Sequence, residues 1–144
     1  MSFLLDTCTL CEPTRKDPEP DVVNWLETQN EDDLYLSVLS LGEIAKGVEK
    51  LEESRRKRRL EAWLHTNLPR RFDGRIIDIT HQIALRWGEL SGEKRREGVQ
   101  IPVIDGLLAA SASAHSFVIV TRNVDDFTRA GVPVFNPWED AGNG

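Results

Sequence analysis

Short apolar runs alternate with segments of helical periodicity along the whole chain, and this alternation most limits the folds open to it. The runs that are too short for helices read as strands over 3–5, 34–38, 75–79, 117–120 and 132–135. Helical spacing is found from Asp21 onward and over 40–51, 54–68, 80–98, 102–115 and 121–130. Strands that alternate with helices pair in parallel and carry helices on both faces. The sequence therefore predicts an α/β fold around a mainly parallel five-stranded sheet.

Local signals predict where individual helices begin and end. Ser40 and Glu43 form the S-x-x-E pattern of a capping box, which predicts that Ser40 is a helix N-cap. Pro69 is predicted to follow the end of the highly charged helix, because proline rarely continues one. Thr80 is predicted to cap the next helix, and Gly98 to end it.

The size of the chain suits one domain. It has 144 residues, of which 40% are hydrophobic and 29% are charged, as in ordinary globular proteins. We expect a single domain over 1–137 and a loose tail that begins near Asn136 and covers 138–144. No apolar run approaches the roughly 18 residues of a membrane span, and no signal-peptide pattern is present. We therefore expect a cytoplasmic protein that does not associate with membranes and keeps its cysteines reduced.

The charge balance limits the ways in which this chain can bind nucleic acid. Its 24 acidic and 18 basic residues give a net charge of -6, which argues against a protein that coats nucleic acid through bulk electrostatics. The basic residues nevertheless cluster at 55–59, 70–71 and 94–96. Such clusters are most often solvated surface. They do not exclude an enzyme that holds nucleic acid locally.

Several carboxylates are predicted to meet at one edge of the sheet. Asp6 ends the first strand, and Asp125 and Asp126 follow the strand over 117–120, while Glu43 and Asp105 lie near helix starts. In parallel sheets, ligands bind beyond the carboxyl ends of the strands. Glu43 or Asp105 alone would be better explained as a helix-capping or first-turn acid. A cluster of such acids, however, is costly unless a cation binds there, and oxygen ligands suit Mg²⁺ or Mn²⁺.

Several longer stretches occur in an order and spacing that resemble one known family. They are FLLDTCTL at the start, LSVLSLGEIAKGVEKL at 36–51, WGEL at 87–90, PVIDGLLAASASAH at 102–115 and VIVTRNVDDF at 118–127. Together these stretches resemble the PIN domain, specifically the VapC and FitB-like ribonuclease toxins of prokaryotic toxin–antitoxin pairs. The resemblance implies a three-layer α/β/α sandwich.

The resemblance also implies a metal site, with Asp6, Glu43 and Asp105 as ligands of Mg²⁺ or, alternatively, Mn²⁺. The fourth acid of the family usually follows T-R, and here Asn123 stands in its place. Asn123 can still ligate or orient water, and Asp126 is the better candidate to supply the missing charge, with Asp125 the weaker one. Two supporting residues flank this position: Thr121 is a candidate to hydrogen-bond a carboxylate or a bound water, and Arg122 to hold the RNA backbone.

A function and a set of partners follow from the same resemblance. It implies a toxin that hydrolyses RNA phosphodiester bonds through metal-activated water and leaves 5′-phosphate and 3′-hydroxyl ends. It also implies a homodimer that forms a hetero-oligomer with a small cognate antitoxin of the VapB or FitA type.

Three alternatives remain open at this point. The C-x-x-C formed by Cys8 and Cys11 is the spacing of a thiol redox pair or of half a zinc site, although packing of two small residues explains it better. A haloacid dehalogenase-like phosphatase needs D-x-D-x-T after the first strand, and Cys8 stands where the second Asp belongs. A binding module on the same scaffold with weak or no nuclease activity is favoured only by Asn123.

Overall fold

The computed structural model describes residues 1–140 of the chain. Its sheet has the strand order β3-β2-β1-β4-β5, and every pairing is parallel. The strands are β1 (Phe3–Leu5), β2 (Leu34–Ser37), β3 (Ile76–Ile77), β4 (Val118–Val120) and β5 (Val134–Phe135). The predicted parallel five-stranded sheet is confirmed, and β1 lies at its centre.

Helices cover both faces of the sheet and complete the expected three layers. They are α1 (Thr7–Cys11), α2 (Pro20–Thr28), α3 (Val38–Glu49), α4 (Arg55–Ala62), α5 (Leu68–Arg71), α6 (His81–Arg96), α7 (Val103–His115) and α8 (Val124–Arg129). Single 3₁₀ turns occupy Glu12–Thr14 and Glu31–Asp33, and a π turn occupies Trp63–Asn67.

Neighbouring residues of β1 point into two separate cores, because side chains alternate across a strand. Leu5 packs with apolar residues of α2, α3 and α5 on one face. Leu4 packs with residues of α7 and α8 on the other face. Both leucines are almost completely inaccessible to solvent. The central strand is therefore anchored from both sides, and so is the acidic residue that follows it.

The predicted capping box at Ser40 is wrong, because α3 begins three residues earlier. Ser37 is the N-cap, and its Oγ accepts a hydrogen bond of 3.1 Å from the backbone N–H of Leu39. The chain turns into the helix directly after the last paired residue of β2, so Ser40 lies inside the helix. Its buried Oγ has no hydrogen-bond partner among the described residues. Glu43 is consequently free of any capping role.

The sequence predicted that Pro69 follows the end of the charged helix, and this prediction is wrong. The helical path continues from α4 through the π turn into α5, and Pro69 lies in the first turn of α5. Pro69 lacks a backbone N–H, and it stands directly after the π turn, where the regular i→i−4 bonding of the helix is already interrupted. The path ends at Phe72, which is fully buried.

The limits predicted for α6 are confirmed. Thr80 is its N-cap, and the Thr80 Oγ1 accepts from the backbone N–H of Ile83 at 3.2 Å. Past its end, Gly98 has a φ of +80°, a left-handed conformation that favours glycine.

The chain does not become loose at Asn136, contrary to the sequence-based prediction. The Asn136 Oδ1 accepts from the N–H of Trp138, and its own N–H donates to the Asp140 carboxylate. Trp138 packs against the same core as Leu5. Of the predicted tail, only 141–144 lies outside the described residues. No helix within 1–140 is long and apolar enough to cross a membrane.

The two-sided anchoring of β1 predicts a large cost for truncating Leu5. We expect Leu5→Ala to lower the free energy of unfolding by about 2–5 kcal/mol, because it leaves a cavity in a closed core. Leu85→Ala on the outer face of α6, where Leu85 is 57% exposed, is the matched control and should change it by less than about 0.5 kcal/mol. Urea denaturation followed by circular dichroism measures both, and equal effects would contradict the packing described here.

Candidate active site

Asp6 stands at the carboxyl end of the central strand and is held there by several bonds. Its backbone N–H donates to the carbonyl of Val120 at 3.0 Å and extends the β1–β4 pairing by one step. Its Oδ1 accepts from the N–H of Thr7 at 2.8 Å and caps α1. Only 9% of Asp6 is exposed. Asp6 therefore caps a helix and also places a carboxylate at the floor of a crevice.

Thr121 joins the ends of β1 and β4. Its fully buried hydroxyl donates to Asp6 Oδ2 at 2.7 Å and accepts from the N–H of Asn123 at 2.9 Å. The structure thus places the hydroxyl of Thr121 on the Asp6 carboxylate, where the sequence suggested a supporting role. One side chain both fixes the position of Asp6 and shapes the loop after β4.

Glu43 lies on the exposed side of α3 and faces α1. The Thr7 hydroxyl donates to Glu43 Oε1 at 2.6 Å. Since Thr7 directly follows Asp6, this bond ties Glu43 to the end of the central strand. Thr7 was not predicted as a site residue, because nothing in the local pattern indicates a partner so far along the chain.

Asn123 bridges two carboxylates on the other side of the crevice. Its Nδ2 donates to Asp105 Oδ2 at 3.2 Å and to Asp126 Oδ2 at 3.0 Å. Asp126 also forms an ion pair with Arg129 at 3.6 Å, which was not predicted from the sequence. An uncharged amide at residue 123 can donate to both acids, whereas a carboxylate there would repel them.

Asp105 experiences the whole acidic cluster. Burial and the neighbouring Asp126 raise its pKa to about 7, and the negative charges of Asp6 and Glu43 contribute to the same increase. Four acids from separate elements are therefore close enough to act on one another, as the sequence predicted. Asp125 differs, since it is exposed and forms none of these hydrogen bonds.

Arg122 lies at the margin of this group. It is exposed, and its guanidinium carbon lies 5.5 Å from the centroid of the Trp138 ring. It therefore borders the site without bonding to its carboxylates.

The oxygen donors of this crevice fit a hard divalent cation by their chemistry and by their charge. Within residues 1–140, no three His, Cys, Asp or Glu side chains are close enough together to coordinate one ion directly. Mg²⁺ commonly keeps several waters and is held directly by only one or two carboxylates. Burial is the largest cause of the raised pKa of Asp105, and the neighbouring carboxylates add a repulsion that such a cation would offset.

The two cysteines do not form a second reactive centre. Both are free and half-buried, and burial raises the pKa of Cys8 and raises that of Cys11 to about 12. Both thiols therefore stay protonated at neutral pH, which does not favour redox or zinc chemistry. Cys8 Sγ lies 3.6 Å from Asp6 Oδ2 and 3.7 Å from the Thr121 hydroxyl, so it packs behind the acidic site.

The raised pKa of Asp105 predicts a specific dependence of stability on pH. An Asp whose pKa is higher in the folded chain than its ordinary 3.8 loses stability as pH rises through about 7. We expect Asp105→Asn to be more stable than wild type at pH 8 in EDTA, and by a smaller margin at pH 5, because the stability of wild type falls progressively between about pH 3.8 and pH 7. Urea denaturation at both pH values measures the difference in unfolding free energy between Asp105→Asn and wild type. An equal difference at the two pH values would contradict a raised pKa of Asp105.

Comparison with known proteins identifies the family. A family model described as PIN domain matches residues 3–133. Toxin FitB of Neisseria gonorrhoeae is 35% identical over 138 residues, which cover 96% of this chain and 99% of the relative. VapC ribonuclease Y4jK of Sinorhizobium fredii is 28% identical over 139 residues, with 96% and 99% covered.

The fold agrees with a solved structure of FitAcB from Neisseria gonorrhoeae. The TM-score is 0.90 at 34% identity, and the match covers 95% of this chain and 99% of that one. The family model spans the first four strands, and the solved structure extends the match over nearly the whole fold. This chain belongs to the PIN domain family.

Proposed function

We propose that this protein is the toxin of a toxin–antitoxin pair and a metal-dependent endoribonuclease. The observation that carries the proposal is the placement of Asp6, Glu43, Asp105 and Asp126 near one another at the carboxyl edge of one parallel sheet, where the other three add to the rise in the pKa of Asp105 that burial causes. Relatives named as a toxin and as a ribonuclease across nearly the same length support it.

Asp6, Glu43 and Asp105 are the residues that would hold Mg²⁺ or Mn²⁺. A bound divalent cation polarises a phosphodiester and lowers the pKa of bound water, so no nucleophilic side chain is required. The chain supplies oriented ligands, because the Thr121 hydroxyl fixes Asp6 and the Thr7 hydroxyl fixes Glu43.

One acid that is not among the proposed ligands is placed to take a proton. Asp126 lies beside Asp105 at the same edge of the sheet, so its carboxylate can accept the proton of an activated water. Asn123 donates to Asp105 and to Asp126, and so fixes both side chains without adding charge. Hydrolysis of RNA by an activated water leaves a 5′-phosphate and a 3′-hydroxyl.

The partners that we propose follow from the same identification. A small cognate antitoxin would block the acidic crevice, the toxin would pair as a homodimer, and the two would assemble as a hetero-oligomer. Its proposed place of action is the cytoplasm, where cellular RNA is found.

The rival function is a binding module that keeps the PIN scaffold without nuclease activity. The only feature that favours this rival is Asn123 in place of an acid. Asn123, however, donates hydrogen bonds to two carboxylates of the site, so its amide contributes to the arrangement of the acids. The phosphatase alternative lacks its second aspartate, since Cys8 occupies that position behind Asp6.

Asp6→Asn tests the proposal directly. We expect it to lower the rate of Mg²⁺-dependent RNA cleavage by at least about 100-fold, since even the loss of an outer partner of a ligand costs 10–100-fold. Sequencing of RNA ends after incubation of total RNA with purified protein measures both the rate and the end chemistry, and EDTA should abolish wild-type cleavage.

The matched control for this substitution is Asp73→Asn. Asp73 is exposed and precedes β3, so it lies at the opposite edge of the sheet. The Asp73→Asn protein should cleave RNA at the wild-type rate. A well-folded Asp6→Asn protein that cleaves as fast as wild type would exclude the proposed nuclease.

A further inference from the structure

A groove leads from the acidic site to the basic helix α4. Its volume is about 300 Å³, and it begins at the two site residues Thr7 and Glu43. Toward α4, its walls include Arg15, Arg56 and Trp63. A neighbouring hollow of about 250 Å³ shares Arg56 and Trp63 with it and adds Arg59. The two hollows therefore form one surface between the carboxylates and the arginines, which we call the α4 groove.

The positive charge along the α4 groove is largely uncompensated. Among the described residues, the side chains of Arg55, Arg58 and Arg59 form neither an ion pair nor a hydrogen bond. Lys57 is the exception, because it is buried and paired with Glu53 at 3.4 Å. Of these three arginines, only Arg59 lines the groove, and its charge is available to a ligand there.

The two arginines that flank the groove toward the site are also accessible. Arg15 pairs with the buried Glu12 at 3.0 Å, yet its side chain is 60% exposed. Arg56 is exposed and reaches only the carbonyl of Thr14, at 3.5 Å. Both can therefore turn a donor toward an anion in the groove.

The other two basic clusters are placed differently. Arg71 is bonded to Glu31 at 2.6 Å, and Lys94 pairs with Glu97 at 3.3 Å. Neither cluster contributes to the walls of the α4 groove. Of the three clusters predicted from the sequence, only that of α4 is connected to the acidic site.

The α4 groove also contains an aromatic surface. Trp63 is half-buried at the start of the π turn and borders both hollows, next to Leu60. Aromatic side chains beside arginines are how proteins hold single strands, because bases stack on the rings while the phosphates bind the cations. Exposed arginines also supply paired donors that can bind the phosphates of such a strand.

We propose that the α4 groove is the binding path for single-stranded RNA that leads into the active site. Arg56 and Arg59 bind backbone phosphates, and a base stacks on Trp63, so that the strand continues past Glu43 to the carboxylates. This inference rests on the proposed ribonuclease function and adds the surface that holds the substrate.

Fluorescence anisotropy with a labelled single-stranded RNA of about ten nucleotides tests the path. The titrations use the Asp6→Asn protein in EDTA, so that binding is measured without cleavage. Adding Arg56→Ala and Arg59→Ala should weaken binding by about 10-fold at 0.1 M salt and lower the log–log salt slope by about 1.4, or 0.7 for each phosphate that is no longer bound. Trp63→Leu keeps the site apolar and should weaken binding about 5-fold without changing the slope.

Arg95→Ala with Arg96→Ala is the matched control. It removes the same charge from exposed positions outside the groove and should leave affinity within about 2-fold of the parent. Equal weakening by the two double substitutions would mean general electrostatic attraction and would overturn the path. Unchanged RNA binding in the α4 variants, together with lost binding of a partner protein, would overturn it as well and assign the groove to a protein.

The nuclease and the path can fail separately. Weaker RNA binding in the α4 variants, with no cleavage by wild-type protein, upholds the path and rejects the nuclease. Wild-type cleavage that is unaffected by the α4 substitutions rejects the path and retains the nuclease.

Discussion

The position of β1 between two parallel neighbours is the constraint on which the site depends. Because β1 pairs with β2 on one side and with β4 on the other, its carboxyl end is flanked by the ends of both. Asp6 continues the pairing to Val120, and its carboxylate meets the hydroxyl of Thr121. A nearly buried carboxylate is tolerated there because hydrogen bonds replace part of the water that it loses. The contacts that join the ends of β1 and β4 therefore also orient the carboxylate of Asp6.

The site combines this rigidity with an excess of negative charge. The pKa of Asp105 is raised to about 7, mainly by burial and further by the neighbouring acids, and the amide of Asn123 donates to both Asp105 and Asp126. A fifth carboxylate, at residue 123, would add to the repulsion, so the amide reduces the electrostatic cost of the metal-free state. The basic residues lie apart from these acids, on α4, where they can attract a polyanion without neutralising the acids that would hold the cation.

Much of the fold and part of the site could be predicted from the sequence, and the failures have local physical causes. The strands were predictable because each is a short apolar run, and Asp6 because a charge at the end of a buried strand is unusual. The N-cap of α3 was misplaced at Ser40, because strand pairing ends at Ser37 and the helix begins directly after it. The continued helix at Pro69 and the ordered turn after Asn136 depend on tertiary packing, which local signals do not report.

The side-chain partners within the site were the hardest to predict. Thr7 and Glu43 are bonded across 36 positions of sequence, and no spacing rule connects them. The role of Asn123 was equally hidden, since a departure from the family motif could mean either a degraded site or a bridging amide. Only the geometry shows that its Nδ2 reaches both acids.

Calorimetric titration of Mn²⁺ into the metal-free protein tests the central claim most directly, which is that these acids form a divalent-cation site. We expect saturable binding that weakens from pH 8 to pH 6, because Asp105 must lose a proton when the cation binds. We also expect Asp105→Asn to weaken the binding at pH 8. Absence of saturable binding, or equal affinity in wild type and Asp105→Asn at pH 8, would contradict the claim.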